Sequence, residues 1–294
     1  MALRAGLSVN VLRPSSWPPH RRRLASTALT MLCWGGIAFA WIWLNFNQRD
    51  FMQDARAYWQ FDYNHLYGLG TVGGRDAYLY SPAFAQLAFP FGALPWPVFK
   101  GLWSALNLAA LVWLAGPRWG VLLLLFPGSP VSDEISTGNI QLLIAMAAVI
   151  GFRNPASWAF TLLTKVTPGI GLLWFAGRRA WRQLAVALVV TAAIVAVSFA
   201  IGPHLWFEWL DSLRHNTGVN IPAYAVALDW PLGVRLAIAG AIALVGGILN
   251  WRWTVLVACA LALPVFWLSG LSVLVGIIAL LRGRGRDRSL ATVA

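Results

Sequence analysis

The sequence predicts an all-α, polytopic membrane protein, and three observations carry that expectation. Its 294 residues are 59% hydrophobic and 11% charged, with a mean hydropathy of +0.66. Soluble globular domains run to about 45–50% apolar and about 25% charged residues. The apolar residues are also gathered into segments that reach or approach the roughly 20 needed to cross the hydrocarbon core as a helix. The third observation is where the charge lies. A formal charge of +12 suggests a nucleic-acid partner only if the positions are ignored. Most basic residues sit in short runs at the ends of apolar segments, the positive-inside pattern, so the charge reports orientation in a membrane. About eight to ten transmembrane or re-entrant helices are expected in a chain of this kind.

The elements follow in order. Residues 1–23 read as a polar, Pro-containing, disordered cytoplasmic terminus ending in Arg21, Arg22 and Arg23. Leu24 to Phe46 is too long and too Trp-rich for a cleaved signal, and reads as a retained first span with its amino end in the cytoplasm. Residues 47–81 are then an external loop. Pro82 to Trp96 returns inward to Lys100, and Leu102 to Ala115 goes back out to the Gly116-Pro117 break. Val121–Phe126 and Ile140–Gly151 are short for spans, and Thr164-Lys165-Val166-Thr167-Pro168 interrupts Ser157–Ala176. These middle pieces fit either thin crossings or re-entrant segments, and the charge rule favours the re-entrant version. Either way, non-helical backbone at membrane depth requires protein or a water-filled cavity around it. Leu184–Ile201 runs outward to a second external loop, 203–230, which begins with an amphipathic piece. Pro231–Leu249, Trp253–Leu268 and Leu271–Leu281 complete a single transmembrane domain over 24–281. Residues 282–294 form a basic cytoplasmic tail. Cys33 and Cys259 both fall in apolar helices, so no disulfide is expected.

Chemistry is expected mainly in the first loop. Residues 50–82 hold Asp50, Asp54, Asp62 and Asp76, four of the ten acidic residues in the chain. Interleaved with them are Arg49, Arg56, Arg75, His65 and the aromatics Tyr58, Trp59, Tyr63, Tyr67, Tyr78 and Tyr80. Asp54 lies a few residues beyond the first span, where Tyr58 and Trp59 could shield its carboxylate, raise its pKa and suit it to general-base work. The plainer reading is a solvated aspartate paired with Arg56 or Arg49. Tyr78 and Tyr80 precede Ser81-Pro82, an ordinary helix start, and tyrosine is an ordinary interface anchor; such rings also stack on sugars. Lys165, flanked by threonines inside an apolar segment, is costly there and marks either a pathway with an anionic partner or a side chain that snorkels to the surface.

Weaker signals lie elsewhere. Asp133-Glu134 could offer oxygen ligands to a divalent cation, but one adjacent pair is not a site; no cofactor is expected. Thr137 could cap a helix starting near Asn139. His204, Glu208, Asp211 and His215 share a helical spacing without the paired histidines of a zinc site. Arg214 and Arg235 could meet an anionic head group. The Walker, dinucleotide and serine-elbow motifs are absent from the sequence.

The order of these pieces carries a further implication. Asp54-x3-Tyr58 precedes Tyr78-x-Tyr80-Ser81-Pro82, Leu102-Trp103-x3-Asn107, Gly138-Asn139-Ile140-Gln141-Leu142-Leu143, Lys165-x2-Pro168 and Arg178-Arg179-Ala180-Trp181-Arg182. That series resembles glycosyltransferase family 87, a C-type family of polyprenyl-phosphate-mannose-dependent mannosyltransferases in bacteria. The resemblance implies transfer of a hexose, mannose above all, from a polyprenyl-phosphate donor to a lipid or glycan acceptor outside the plasma membrane, with inversion and with Asp54 as base. It makes Arg56, Tyr58, Tyr78, Tyr80, Asn139, Gln141 and Lys165 candidates for substrate binding, Lys165 against the leaving lipid phosphate. Family members are generally longer, and where they have Gly-Gln ahead of an asparagine this chain reads Gly138-Asn139-Ile140-Gln141, so acceptor recognition is expected to differ more than fold. The rival reading is a transporter or flippase of lipid-linked sugar that uses Lys165 and the broken helices as its path.

Overall fold

A computed structural model describes residues 17–48, 51–59, 65–68, 72, 77–126, 128–216 and 228–291, with side chains as far as Gly283. The regular elements among the described residues are all helical, as the composition requires. The chain divides into two compact units, 1–47 and 48–294. Arg49, Asp50, Asp62, Tyr63, Arg75 and Asp76 lie outside the described residues, as does most of the expected disordered terminus.

The first unit is a single helix, α1 (Pro19–Asn47), 29 residues long. It starts with proline in the first turn, where the missing N–H costs nothing. Within it only Ile37 is buried, and the remaining apolar side chains point in all directions, the pattern of a helix made for lipid.

The second unit opens with α2 (Gln53–Trp59), which carries Asp54. Next comes α3 (Pro82–Ala88), whose Ser81 side chain caps it by accepting from the Phe84 N–H. A 3-10 turn, Phe89–Ala93, leads to α4 (Trp96–Ala115). Here the structure departs from the sequence expectation. The helical run breaks at Leu94-Pro95 rather than near Lys100, because Pro95 and Pro97 fix the start of α4 and Trp59 Nε1 donates to Leu94 O at 2.7 Å. Lys100 is therefore inside α4, only 3% exposed, with its ammonium 5.6 Å from the Trp96 ring centroid.

Beyond Gly116 come α5 (Pro117–Leu125), α6 (Pro130–Thr137) and α7 (Gln141–Gly151). With 9 residues, α5 is about 14 Å long at 1.5 Å per residue, far short of a bilayer core. The axes of α6 and α7 meet at 111°, so this stretch is a bent pair and not a straight crossing. Its second arm is the centre of the core. Gln141 to Ala145, Ala147, Ala148 and Gly151 are all buried.

The expected interruption near Lys165 is present. Helix α8 (Trp158–Thr164) stops where Lys165 turns extended, at φ −136° and ψ 107°. A 3-10 turn, Thr167–Leu172, and α9 (Leu173–Gly177) follow. Pro168 has no N–H with which to continue the α8 ladder. The long apolar α10 (Trp181–Ile201) buries only Ala187 and Ser198. After it, α11 (Pro203–His215) has the expected amphipathic character, burying Leu205, Trp206, Trp209 and Ser212.

The last elements are α12 (Leu232–Ile248), α13 (Trp253–Leu261), a 3-10 stretch at Leu268–Val275, and α14 (Gly276–Ala291). Small residues draw them together, as in membrane helix packing. Ala239, Ala243, Ala258 and Ala262 form one buried cluster. A Cβ added at Gly247 would clash with Trp174 O, so α12 and α9 touch backbone to backbone.

Three described helices are long and apolar enough to cross a membrane, α1, α4 and α10, or four if the bent α6–α7 pair is one span. The exposed surface of α10 includes Leu188, Val189, Val197 and Ile201, which in water would be an aggregation liability. The protein is an all-α, polytopic membrane protein.

Candidate active site

Asp54 is positioned by the backbone just ahead of it. Met52 has a left-handed φ of 62°, costly for a side-chain-bearing residue, and its N–H donates to Ser136 O at 2.8 Å. That bond ties the start of α2 to the end of α6. The tie is tight at the corner itself. Gly138 has φ 73°, and a Cβ there would lie 2.8 Å from Ala55 Cβ. Trp103 Nε1 donates to Gly138 O at 2.7 Å, adding α4 to the junction. Four helices thus converge where Asp54 stands.

Asn139, the residue after Gly138, links the two charged candidates. Its Nδ2 donates to Asp54 Oδ2 at 2.8 Å, while its Oδ1 accepts from Lys165 Nζ at 3.2 Å. The flipped amide would set oxygen against carboxylate and NH₂ against ammonium, so one orientation alone satisfies both neighbours. Gln141 Nε2 and the Ile140 N–H also donate to Asn139 Oδ1, at 3.3 Å and 2.8 Å. The half-buried Asp54 therefore has a fixed orientation. Burial lifts its carboxyl above the ordinary 3.8, while the positive charge of Lys165 and the Asn139 hydrogen bond pull the other way and nearby Asp133 adds to the rise.

The tyrosines pack as a block beside this group. Tyr58 is fully buried, and its hydroxyl lies 2.7 Å from that of Tyr80. The Tyr80 ring, half-buried, faces Lys165, with Nζ 5.9 Å from the ring centroid. Tyr78 is buried and donates to Ser81 O at 3.0 Å. Ser81 in turn donates to Leu163 O, fastening the start of α3 to the end of α8 beside Lys165. Asp54, Tyr58, Tyr80, Asn139, Gln141 and Lys165 are thus gathered around one point. Arg56, two positions past Asp54 in α2, lies on a different helix face, and Tyr78 supports the α3 cap.

Other sequence expectations change. Thr137 does not cap α7. Its hydroxyl turns back to Asp133 O and Glu134 O. The cap is Glu134, whose Oε1 accepts from the backbone N–H of Gln141 and, at 3.4 Å, that of Leu142. A side chain seven residues upstream can do this only because of the sharp α6–α7 corner, a geometry that local capping rules do not anticipate. Among the described residues there is no group of three or more His, Cys, Asp or Glu suited to hold a metal ion.

Arg235, a candidate for an anionic head group, is buried. Its guanidinium donates to the carbonyls of Trp230, Leu261, Leu263 and Pro264 at 2.6–3.0 Å. Pro264 ends α13 early, and Arg235 collects the carbonyls left open there. On α11, Arg214 pairs with Asp211 at 2.9 Å, and His215 Nδ1 lies 2.8 Å from Asp211 O.

The model of glycosyltransferase family 87 matches residues 78–294, nearly three quarters of the chain. The chain belongs to glycosyltransferase family 87. That match takes in Tyr80, the α6–α7 corner and Lys165 and begins after Asp54. Two similar proteins of the family's chemistry come from Mycobacterium tuberculosis. One is a polyprenol-phosphate-mannose-dependent alpha-(1-2)-phosphatidylinositol pentamannoside mannosyltransferase, 24% identical over 72% of this chain and 56% of the relative. The other, a polyprenol-phosphate-mannose-dependent alpha-(1-2)-phosphatidylinositol mannoside mannosyltransferase, is 24% identical over 71% of this chain and 60% of the relative. The aligned part of this chain thus spans a little over half the length of these relatives. No solved structure matches.

Proposed function

We propose that this protein is a membrane glycosyltransferase that moves a hexose, mannose first among them, from a polyprenyl-phosphate donor to a lipid or glycan acceptor. In this reading the reaction occurs on the outer side of the plasma membrane, with the amino terminus in the cytoplasm. The observation that carries it is the Asp54–Asn139–Lys165 chain of hydrogen bonds. It sets a carboxylate and an ammonium on either side of one amide, beside a tyrosine block, in a family of glycosyltransferases. The mycobacterial relatives support the donor class.

The division of labour follows from charge. Asp54 takes the proton of the acceptor hydroxyl as its oxygen attacks the anomeric carbon. A new carbon–oxygen bond forms on the face opposite the phosphate, the bond to the phosphate oxygen breaks with its electron pair, and the configuration inverts. Lys165 stabilises the negative charge gathering on the departing polyprenyl phosphate, an effect that is large where water is excluded. Tyr80 offers a ring face to the sugar. Asn139 orients the base.

Sugar transfer by the purified protein in lipid, with radiolabelled polyprenyl-phosphate mannose and a membrane lipid extract as acceptor pool, tests the proposal. Asp54→Asn is expected to lose labelled product by roughly 10²-fold or more, the scale of general-base catalysis, while still binding donor. Equal product from both proteins removes Asp54 from the mechanism, and no product from either moves weight to another sugar or to the transporter reading.

A further inference from the structure

Three turns of the second unit meet at the end of α7 away from the Asn139 corner. The turn after α7 carries Arg153, and the turn after α9 carries Arg178 and Arg179, with Arg182 in the first turn of α10. The turn between α12 and α13 carries Arg252. Close packing brings the three together. A Cβ at Gly177 would clash with Leu244 O, and one at Gly247 would lie 3.0 Å from Arg178 N. Trp174 Nε1 donates to Trp251 O at 3.2 Å, and its ring centroid is 5.0 Å from that of Phe152. The Arg252 guanidinium in turn lies 5.5 Å from the Phe152 ring centroid, next to Arg153.

All five arginines are exposed, and none of their guanidinium groups has an ion-pair or hydrogen-bond partner among the described residues. The segments that build the patch, 135–207 and 230–286, contain no aspartate or glutamate. Membrane orientation asks for arginines at the inner ends of helices, but not for their convergence on touching turns, where like charges repel. Arg179 sharpens the point. Its φ is 57°, with the Ala180 N–H donating to Phe175 O at 2.8 Å and the Arg179 N–H to Ala176 O at 2.9 Å. Glycine is the usual residue at such a helix end, so the reason for arginine lies in its side chain. Trp181, Trp251 and Trp253 are 60%, 47% and 39% exposed, and the last two stack with centroids 6.1 Å apart. Exposed tryptophans at helix ends sit at head-group depth, which puts the guanidinium groups among lipid phosphates.

We propose that Arg153, Arg178, Arg179, Arg182 and Arg252 form a binding site for the phosphate head group of an anionic phospholipid. The lipid belongs to the leaflet on that side, the cytoplasmic one in the orientation given above. Guanidinium forks take phosphate oxygens in pairs, and the tryptophans border the glycerol and upper acyl chains. A phosphate among the arginines relieves their repulsion and holds together the ends of α7, α9 and α12. The site is separate from the one around Asp54. Helix α7, with 11 residues, puts about 16 Å between them at 1.5 Å per residue. The proposal does not depend on what Asp54 and Lys165 do.

The test is binding of radiolabelled dioleoyl phosphatidylglycerol by the full chain in detergent micelles, with dioleoyl phosphatidylcholine as the neutral control. Saturable binding at least about tenfold tighter for phosphatidylglycerol is expected, the scale of a few arginines against an anionic head group. The triple variant Arg178→Gln, Arg182→Gln, Arg252→Gln should bind the two lipids equally. If it does not fold, Arg252→Gln alone should weaken phosphatidylglycerol binding about fivefold. Arg214→Gln is the control for charge as such. It lies beyond the far end of α10, whose 21 residues span about 31 Å, and the lipid preference should be unchanged in it. Phosphatidylglycerol should also raise the melting temperature of the wild type and not of the triple variant. Equal binding of both lipids by the wild type, a preference retained in the triple variant, or the same loss in Arg214→Gln would each overturn the proposal. Displacement of the lipid by millimolar inorganic phosphate, or by an equal amount of polyprenyl phosphate, would overturn it too and give the patch to free phosphate or to the donor's carrier. No turnover enters these measurements, so they stand apart from the outcome of Asp54→Asn.

Discussion

Asn139 Nδ2 donates to Asp54 Oδ2 at 2.8 Å, joining a residue of the first loop to the corner between α6 and α7. The hydrogen bond fixes the carboxylate's plane, and its donor is held in turn by Lys165 and Gln141. An oriented carboxylate beside a cation is the arrangement that the proposed inverting transfer uses.

Replacing that donor should separate orientation from binding. Asn139→Ala is expected to lower kcat by about 10²-fold, the penalty for misplacing a catalytic group by an ångström or so, with a smaller effect on the donor KM. Steady-state kinetics with radiolabelled donor in lipid check it. A rise in KM with intact kcat would instead make Asn139 a binding residue.

The pH dependence follows from the direction of the Asp54 shift. A base must be deprotonated, so kcat/KM should fall as pH drops through the Asp54 pKa. Burial raises that pKa above 3.8, which moves the acidic limb to higher pH than an exposed aspartate would give. The stability sign is the opposite of a salt-bridged acid. The folded state holds the proton more tightly than the unfolded one, so this group's contribution is most favourable below the unfolded pKa and declines as pH rises through the folded pKa. Asp54→Asn should therefore be no less stable than wild type at neutral pH. A pH–rate profile and parallel melting curves measure both.

Gly138 is the tightest point of the corner. Alanine there would adopt a left-handed φ and press its Cβ against Ala55 and Met52. Gly138→Ala should destabilise the protein by roughly 1–3 kcal/mol and lower transfer as well, since α2 carries Asp54. Unfolding in lipid with a parallel transfer assay would show both losses together.

Arg235 makes a contrasting prediction. Its donors go to backbone carbonyls at the end of α13, so Arg235→Ala strands buried acceptors and should cost roughly 3 kcal/mol, the scale of losing hydrogen bonds to a charged group. In protein that remains folded, the donor KM should be unchanged. A KM increase without a stability loss would restore the head-group role.

Much of this protein is legible in its residues alone. Apolar segment length and the placement of arginines give an all-helical membrane protein, because the hydrocarbon core imposes a length and excludes charge wherever the helix crosses. The break at Lys165 is legible as well, since Pro168 removes a donor and an ammonium in an apolar run needs a partner. Asp54, Asn139, Gln141 and Lys165 are individually visible as polar residues in costly places. What tertiary structure decided is which of them meet. The break at Leu94-Pro95 puts Lys100 inside a helix, and the early end of α13 turns Arg235 inward. The 111° corner makes Glu134 the cap of α7 and places Asn139 between Asp54 and Lys165. Hydropathy sums over many residues and so survives without coordinates. A hydrogen bond depends on a few tenths of an ångström between residues far apart in sequence, and only the packed chain sets that distance.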